Sequence, residues 1–417
     1  MHDFEVATLV LGGVLVTGAL LSALAHRSFL SLTAVFVLAG FLVGPGGVDV
    51  VHLDARSGFV EQLALVALIV ILFRDGLEVE QEMLRREWRL PLRKLILAMP
   101  VTGGLVALAG HVIVGLPWKE AGLLGALLAS TDPVLSSAVV TNPRVPRVLR
   151  HSLNLESGLN DGLALTAVLA FSDALKPGSG GFDPVTFVLQ DVGIGLLTGL
   201  LVAFVAARLL PRATVDEEHR PAHQHALYAL GVAFAAYGLA VLPPHGNGLI
   251  AVFVCAIAFG LLRPDVQAVF EERSEELVEL VKLGIFLVFG SLLTLSALFA
   301  DGMAAVAVGL ITLLVARPVA VFAALAGTGV SRSAKAFMAW FGPRGVATMA
   351  FGLLVLGKHV PGGERVFQIA ALTVLFSVIA HGVTDTPGVS WIAARSEEEG
   401  EPGAAAPLAS TTSGEGE

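Results

Sequence analysis

Charge is scarce in this chain. Only 15% of its 417 residues are Asp, Glu, Lys or Arg, where a soluble domain carries about 25%. Cysteine is nearly missing: the single Cys255 excludes an intrachain disulfide and a cysteine-based metal centre. Aromatics make up 7%, which argues against a roomy pocket for an organic solute. There is no G-x-x-x-x-G-K-[ST] phosphate loop and no polar region large enough to hydrolyse ATP. The opening Met1-His2-Asp3-Phe4-Glu5 lacks the basic n-region of a secretory signal, so the first apolar run is expected to stay in the protein.

What the chain has instead is apolar length. Hydrophobic residues make up 55%, and the mean hydropathy is +0.79. Its 46 Gly and 20 Pro would weaken soluble helices, but membrane helices tolerate them because neighbours re-satisfy the freed backbone groups. Windows long enough to span a bilayer fall near 6–25, 28–44, 59–77, 93–115, 119–140, 152–174, 185–209, 224–242, 246–262, 279–296, 302–326, 334–356 and 366–386. The expected fold is an all-α integral membrane protein of about 13 transmembrane helices, occupying residues 1–395. An acidic tail over 396–417 reads as disordered. The stretch from Glu271 to Glu279 reads as an amphipathic lead-in to the tenth span.

Basic residues orient this arrangement. Loops on one side would hold Arg27, Arg85, Arg86, Arg89, Arg93, Lys94, Arg144, Arg147, Arg150, Arg208, Arg212, Arg220, Arg263, Arg273, Arg332, Lys335 and Arg395. The other side would hold only Arg56, Lys119, Lys176, Lys358 and Arg365. The positive-inside rule then places the C-terminus in the cytoplasm and the N-terminus outside a cell membrane. A histidine-bearing cytoplasmic stretch, Asp216 to His225, reads as a hydrated loop, with a pH-sensing role as the alternative.

Two spans are interrupted, the fifth at Thr131-Asp132-Pro133 and the twelfth at Gly342-Pro343-Arg344-Gly345. Paired interruptions at corresponding places point to two inverted six-span repeats, about 6–174 and 224–386, with 185–209 as a linker helix. Pro133 lacks an N–H and disfavours α geometry at Asp132. The break would expose carbonyls such as that of Thr131 to a cation. Asp132 would offset a positive helix end, and Arg344 would offset a negative one.

The sixth span puts Asp161 about 15 Å into the bilayer. Ser157 lies one turn earlier on the same face, and Glu156 and Asn160 share the adjacent one. Ionisable groups at that depth are expensive and mark ion or proton paths, and this oxygen set suits a hard cation. Glu156 has two readings, a cation ligand or the partner of the otherwise isolated Arg317, and the ion pair is favoured. Asp75 also has two: an access funnel, or an interfacial cluster with Arg74 and Glu78. Lys282 and Arg74 read as snorkelling side chains.

At this point the chain resembles the NhaP-like sodium/proton exchangers of the first monovalent cation/proton antiporter group. Four motifs in order carry the likeness: Thr131-Asp132-Pro133, Glu156 with Asn160-Asp161, Arg317-Pro318 and Gly342-Pro343-Arg344-Gly345. The resemblance implies a homodimer in which a core domain moves against a dimerisation domain. It implies that Asp161 is the main carrier of sodium or a proton, helped by Asp132, Ser157 and the Thr131 carbonyl. It implies electroneutral exchange from Asn160-Asp161. The family's usual third-span glutamate is replaced here by Arg74-Asp75. The expected partners are lipid, a monovalent cation and the proton, with no cofactor, nucleic acid or enzymatic activity. Rival readings are a proton-coupled solute carrier, an intramembrane aspartyl protease built on Asp132 and Asp161, and a channel.

Overall fold

The computed structural model describes residues 32–54, 57–79, 88–132, 137–140, 142–176, 183–210 and 222–398, together with 12, 13 and 16. The expected first span, Pro133, residues 216–221 of the histidine-bearing stretch and the tail beyond residue 398 therefore lie outside the described residues, apart from those three positions.

Among the described residues all regular structure is helical. The helices are α1 (Leu32–Val43), α2 (Gly58–Leu77), α3 (Arg89–Val114), α4 (Trp118–Leu127), α5 (Ser137–Val140), α6 (Arg147–Leu175) and α7 (Pro184–Leu209). They continue as α8 (Ala222–Val241), α9 (Gly248–Leu262), α10 (Pro264–Ser291), α11 (Gly302–Ala324), α12 (Arg332–Trp340), α13 (Val346–Gly357) and α14 (Gly363–Glu398), with a further short helix at Leu295–Leu298 between α10 and α11. Helices α3, α7, α11 and α14 are long and apolar enough to cross a membrane by length and composition. Their exposed faces are leucine- and valine-rich, as on α7 with Leu189, Leu197 and Leu201. In lipid such faces need no cover, because the backbone is satisfied within each helix.

Two spans break. Helix α4 stops at Leu127, and residues 130–132 are non-helical. Helix α12 stops at Trp340, and α13 begins at Val346. The two non-helical pieces meet, with the Asp132 N–H donating to the Pro343 carbonyl at 2.8 Å. Helix α6 runs unbroken beside this meeting point, and α2 packs against α6, α9 and α13.

Three expectations change. The helix that carries the expected tenth span begins at Pro264, so Lys282 lies well inside α10 and is buried rather than snorkelling. The last span does not end before Pro387. Helix α14 carries that proline to Glu398, three residues into the expected tail, because a proline removes one ladder bond while Phe341 packs against Gly388 across the helix. Lys94 is not a loop residue but sits within α3, fully buried.

Candidate functional site

The crossing is held by opposite charges on opposite helix ends. The Asp132 carboxylate accepts from the Val346 N–H at 2.9 Å, at the positive N-terminus of α13. The Arg344 guanidinium donates to the carbonyls of Ala129 (2.8 Å) and Ser130, just past the negative C-terminus of α4. Each interrupted span thus supplies the charge that caps the other. The two glycines of Gly342-Pro343-Arg344-Gly345 permit this approach. A side chain at Gly345 would collide with the Asp132 carboxylate, and one at Gly342 with the Arg317 guanidinium.

Helix α6 is tied to the same crossing. The Ser157 hydroxyl donates to the Thr131 carbonyl at 2.7 Å, and the Asn160 amide donates to the Thr131 hydroxyl at 2.6 Å. Both bonds lie on the side of α6 that carries Asp161, as the helical spacing requires. Asp161 is 2% exposed, and its Oδ1 has no hydrogen-bond partner among the described residues. The Asn160 Oδ1 is orphaned in the same way. Buried polar oxygens are rarely left unpaired, so two on adjacent residues mark a candidate site.

Asp75 is buried on α2, in a cluster with Arg74 and Glu78. Asp75 and Asp132 are both near enough to act on Asp161 through space. Gly158 makes the approach of α2 possible, because a Cβ there would lie 2.9 Å from the Asp75 carbonyl oxygen. Arg74 donates to Asp75 at 3.2 Å and pairs with Glu78, so Asp75 bridges the interfacial charges and the buried acid. Lys282 on α10 adds a positive field at Asp161.

Glu156, five residues from Asp161 on the same helix, is treated in the opposite way. Its Oε1 accepts from Arg317 Nη1 at 2.9 Å, and its Oε2 from Lys94 Nζ at 2.6 Å and Arg317 Nη2 at 3.3 Å. Lys94 donates further to the Ser152 carbonyl, and Arg317 to that of Met338. Both cations stand beside π-helical turns, Lys94 opening one at Lys94–Ala98 and Arg317 following one at Thr312–Ala316. Such wide turns often mark functional positions in a helix.

Sequence reasoning missed three buried groups. Lys94 was hidden by its position at the edge of an apolar run beside Arg93, where a cation reads as a membrane-end residue. Lys282 was displaced by the late start assigned to its helix. His381 was overlooked although an ionisable residue inside the span 366–386 was itself the signal. It is buried against α12, with Nε2 2.9 Å from the Trp340 carbonyl and Nδ1 2.8 Å from that of Ser377. The Ser377 hydroxyl accepts from the Arg344 N–H at 2.8 Å, so His381 abuts the crossing.

Comparison with known proteins agrees with this geometry. The family described as "Sodium/hydrogen exchanger, transmembrane" matches residues 13–391. The K(+)/H(+) antiporter NhaP of Alkalimonas amylolytica is 25% identical over 100% of this chain and 72% of its own length. The Na(+)/H(+) antiporter 1 of Methanocaldococcus jannaschii is 25% identical over 83% of this chain and 82% of its own. The chain spans 63% of the K(+)/H(+) antiporter NhaP2 of Shewanella sp. (strain ANA-3), at 24% identity over 88% of this chain. The solved structure of the sodium proton antiporter MjNhaP1 from M. jannaschii at pH 8 shares the fold, with a TM-score of 0.79 and 21% identity, covering 94% of this chain and 99% of that one. The match across nearly the whole helical body, on a fold with two interrupted spans meeting beside a buried aspartate, shows that this chain is a membrane protein of the transmembrane sodium/hydrogen exchanger family, a family of monovalent cation/proton antiporters.

Proposed function

We propose that this protein exchanges a monovalent cation, sodium first, for protons by alternating access at one carboxylate site. The observation that carries the reading is the Asp161 carboxyl: buried, with one oxygen unpartnered, beside Asp75 and Asp132. Asp161 is the carrier. Asp132, Ser157 and the Thr131 carbonyl complete an oxygen set for the cation, and Asn160 orients Thr131. A cation and a proton then compete for the same acid, and one enters as the other leaves. With a single carrier acid, one-for-one electroneutral exchange follows. The Glu156–Lys94–Arg317 cluster is structural, and Asp132 and Arg344 compensate the broken helix ends.

The same reading takes the chain as two inverted repeats around the linker helix α7, working as a homodimer in a cell membrane with its C-terminus in the cytoplasm. Its support is the reciprocal capping between α4 and α13 and the excess of basic residues in one set of loops. Potassium is the second cation to consider, because relatives bear the name K(+)/H(+) antiporter.

Proton flux reported by a pH-sensitive dye in proteoliposomes, driven in turn by sodium, lithium and potassium, tests the proposal. Saturable flux with at least one cation, unaffected by an imposed membrane potential, is the expected result. Persistence of cation-driven flux in Asp161→Asn would overturn the single-carrier mechanism.

A further inference from the structure

Helices α12 and α14 form the walls of an open groove of about 340 Å³ that the exchange reaction does not use. Its walls are apolar and aromatic, with Phe337, Trp340 and Phe341 on α12 and Pro387, Gly388 and Trp391 on α14. The volume falls in the range of small-ligand sites, about 300–1,000 Å³. An open apolar groove between two membrane helices offers a seat for a lipid acyl chain. Trp391 is 42% exposed at its edge, and tryptophan favours the depth at which a bilayer passes from headgroup to acyl chain.

One end of the groove is basic. Arg332 lies four and eight residues before Ala336 and Trp340, on the stripe of α12 that lines the cleft. Lys335 flanks that stripe, and Arg395 lies four residues after Trp391 on α14. Arg332 and Arg395 are exposed, and Lys335 is half-buried. Arg395 also pairs with Glu398 at 3.1 Å, an exposed contact that a phosphate would replace.

We infer that the α12–α14 groove binds an anionic phospholipid, with one acyl chain on Phe337, Trp340 and Trp391 and the phosphate at Arg332, Lys335 and Arg395. Charge complementarity selects this occupant, because basic clusters at the end of a cleft between membrane helices retain anionic headgroups. A zwitterionic lipid would fill the cleft equally well but gain little from its rim. The site abuts the crossing, since Trp340 donates to Thr384 at 2.9 Å and stacks on His381 at a ring separation of 5.3 Å. The inference rests on the membrane reading alone and holds whichever cation is exchanged.

The test is native mass spectrometry of the full-length protein in detergent, with phosphatidylglycerol or phosphatidylcholine added at equal concentration. Phosphatidylglycerol is expected to survive as an adduct in preference to phosphatidylcholine. The double substitution Arg332→Gln/Lys335→Gln is expected to lower its retention roughly tenfold or more, leaving phosphatidylcholine unchanged. Arg208→Gln, on the exposed face of α7, is expected to leave both unchanged. Trp391→Ala is expected to weaken phosphatidylglycerol retention through the acyl chain, and it supplies a second reading should the double variant fold poorly. Equal retention of the two lipids by the unaltered protein would overturn the inference. So would an equal loss of phosphatidylglycerol in Arg208→Gln. Splitting of an oligomer by Trp391→Ala with lipid retention intact would assign the groove to a second copy of the chain instead.

Discussion

Glu156 and Asp161 stand five residues apart on α6, and both are buried acids beside the crossing. Glu156 has both oxygens engaged by two cations that are themselves hydrogen-bonded to carbonyls. Asp161 has one oxygen without a partner and another carboxyl for a neighbour. A saturated charge cluster holds one geometry, because releasing any member strands a buried charge. An unsaturated acid takes and releases a small cation without breaking the fold. The roles proposed for them, scaffold for Glu156 and carrier for Asp161, rest on this difference.

Substitution of each acid by its amide separates the two roles most sharply. Asp161→Asn should abolish cation-driven proton flux while the thermal unfolding midpoint stays near that of the unaltered protein. A large fall in the midpoint would make Asp161 a scaffold residue as well. Glu156→Gln should do the reverse first, destabilising the fold by about 3–5 kcal/mol because Lys94 and Arg317 are left without a counter-charge. Thermal unfolding in detergent measures this, and a stable, inactive Glu156→Gln would move Glu156 into the transport site.

Lys94→Met sharpens the comparison from within the cluster. Arg317 still engages Glu156, so the expected loss is about 1.5–3 kcal/mol, that of one charge-assisted hydrogen bond. Flux per folded molecule should be retained. A neutral effect on stability would show that Arg317 alone compensates the glutamate. The smallest effect should come from Ser157→Ala. Removing one hydrogen bond to the Thr131 carbonyl costs about 1 kcal/mol, so stability changes little. The cation concentration for half-maximal flux should rise more than the maximal rate falls. An unchanged half-maximal concentration would exclude Ser157 from the cation's surroundings.

Much of this arrangement was legible in the chain itself. Long apolar runs left helices as the form able to satisfy their backbone in lipid. Thr131-Asp132-Pro133 and Gly342-Pro343-Arg344-Gly345 marked both interruptions, because a proline and flanking glycines cannot continue a helix there. Asp161, Asp132, Glu156 and Arg317 stood out because ionisable groups are costly at membrane depth. Asp75 was harder to place. Its neighbours Arg74 and Glu78 made it look interfacial, and only the close approach of α2 at Gly158 brings it to Asp161.

Local pattern therefore determined which runs are apolar, which spans break and which acids lie within them, since each of those follows from the transfer of a side chain or a backbone group out of water. Partner choice was decided by tertiary structure. Lys94 joins Glu156 across 62 positions and Arg317 joins it across 161. Arg344 caps a helix end more than 200 residues away, and Asp132 caps the one that follows Arg344. Periodicity carries no information about such distances. The saturation of Glu156 and the openness of Asp161 exist only once the helices are packed, because a counter-charge acts through space and not along the chain.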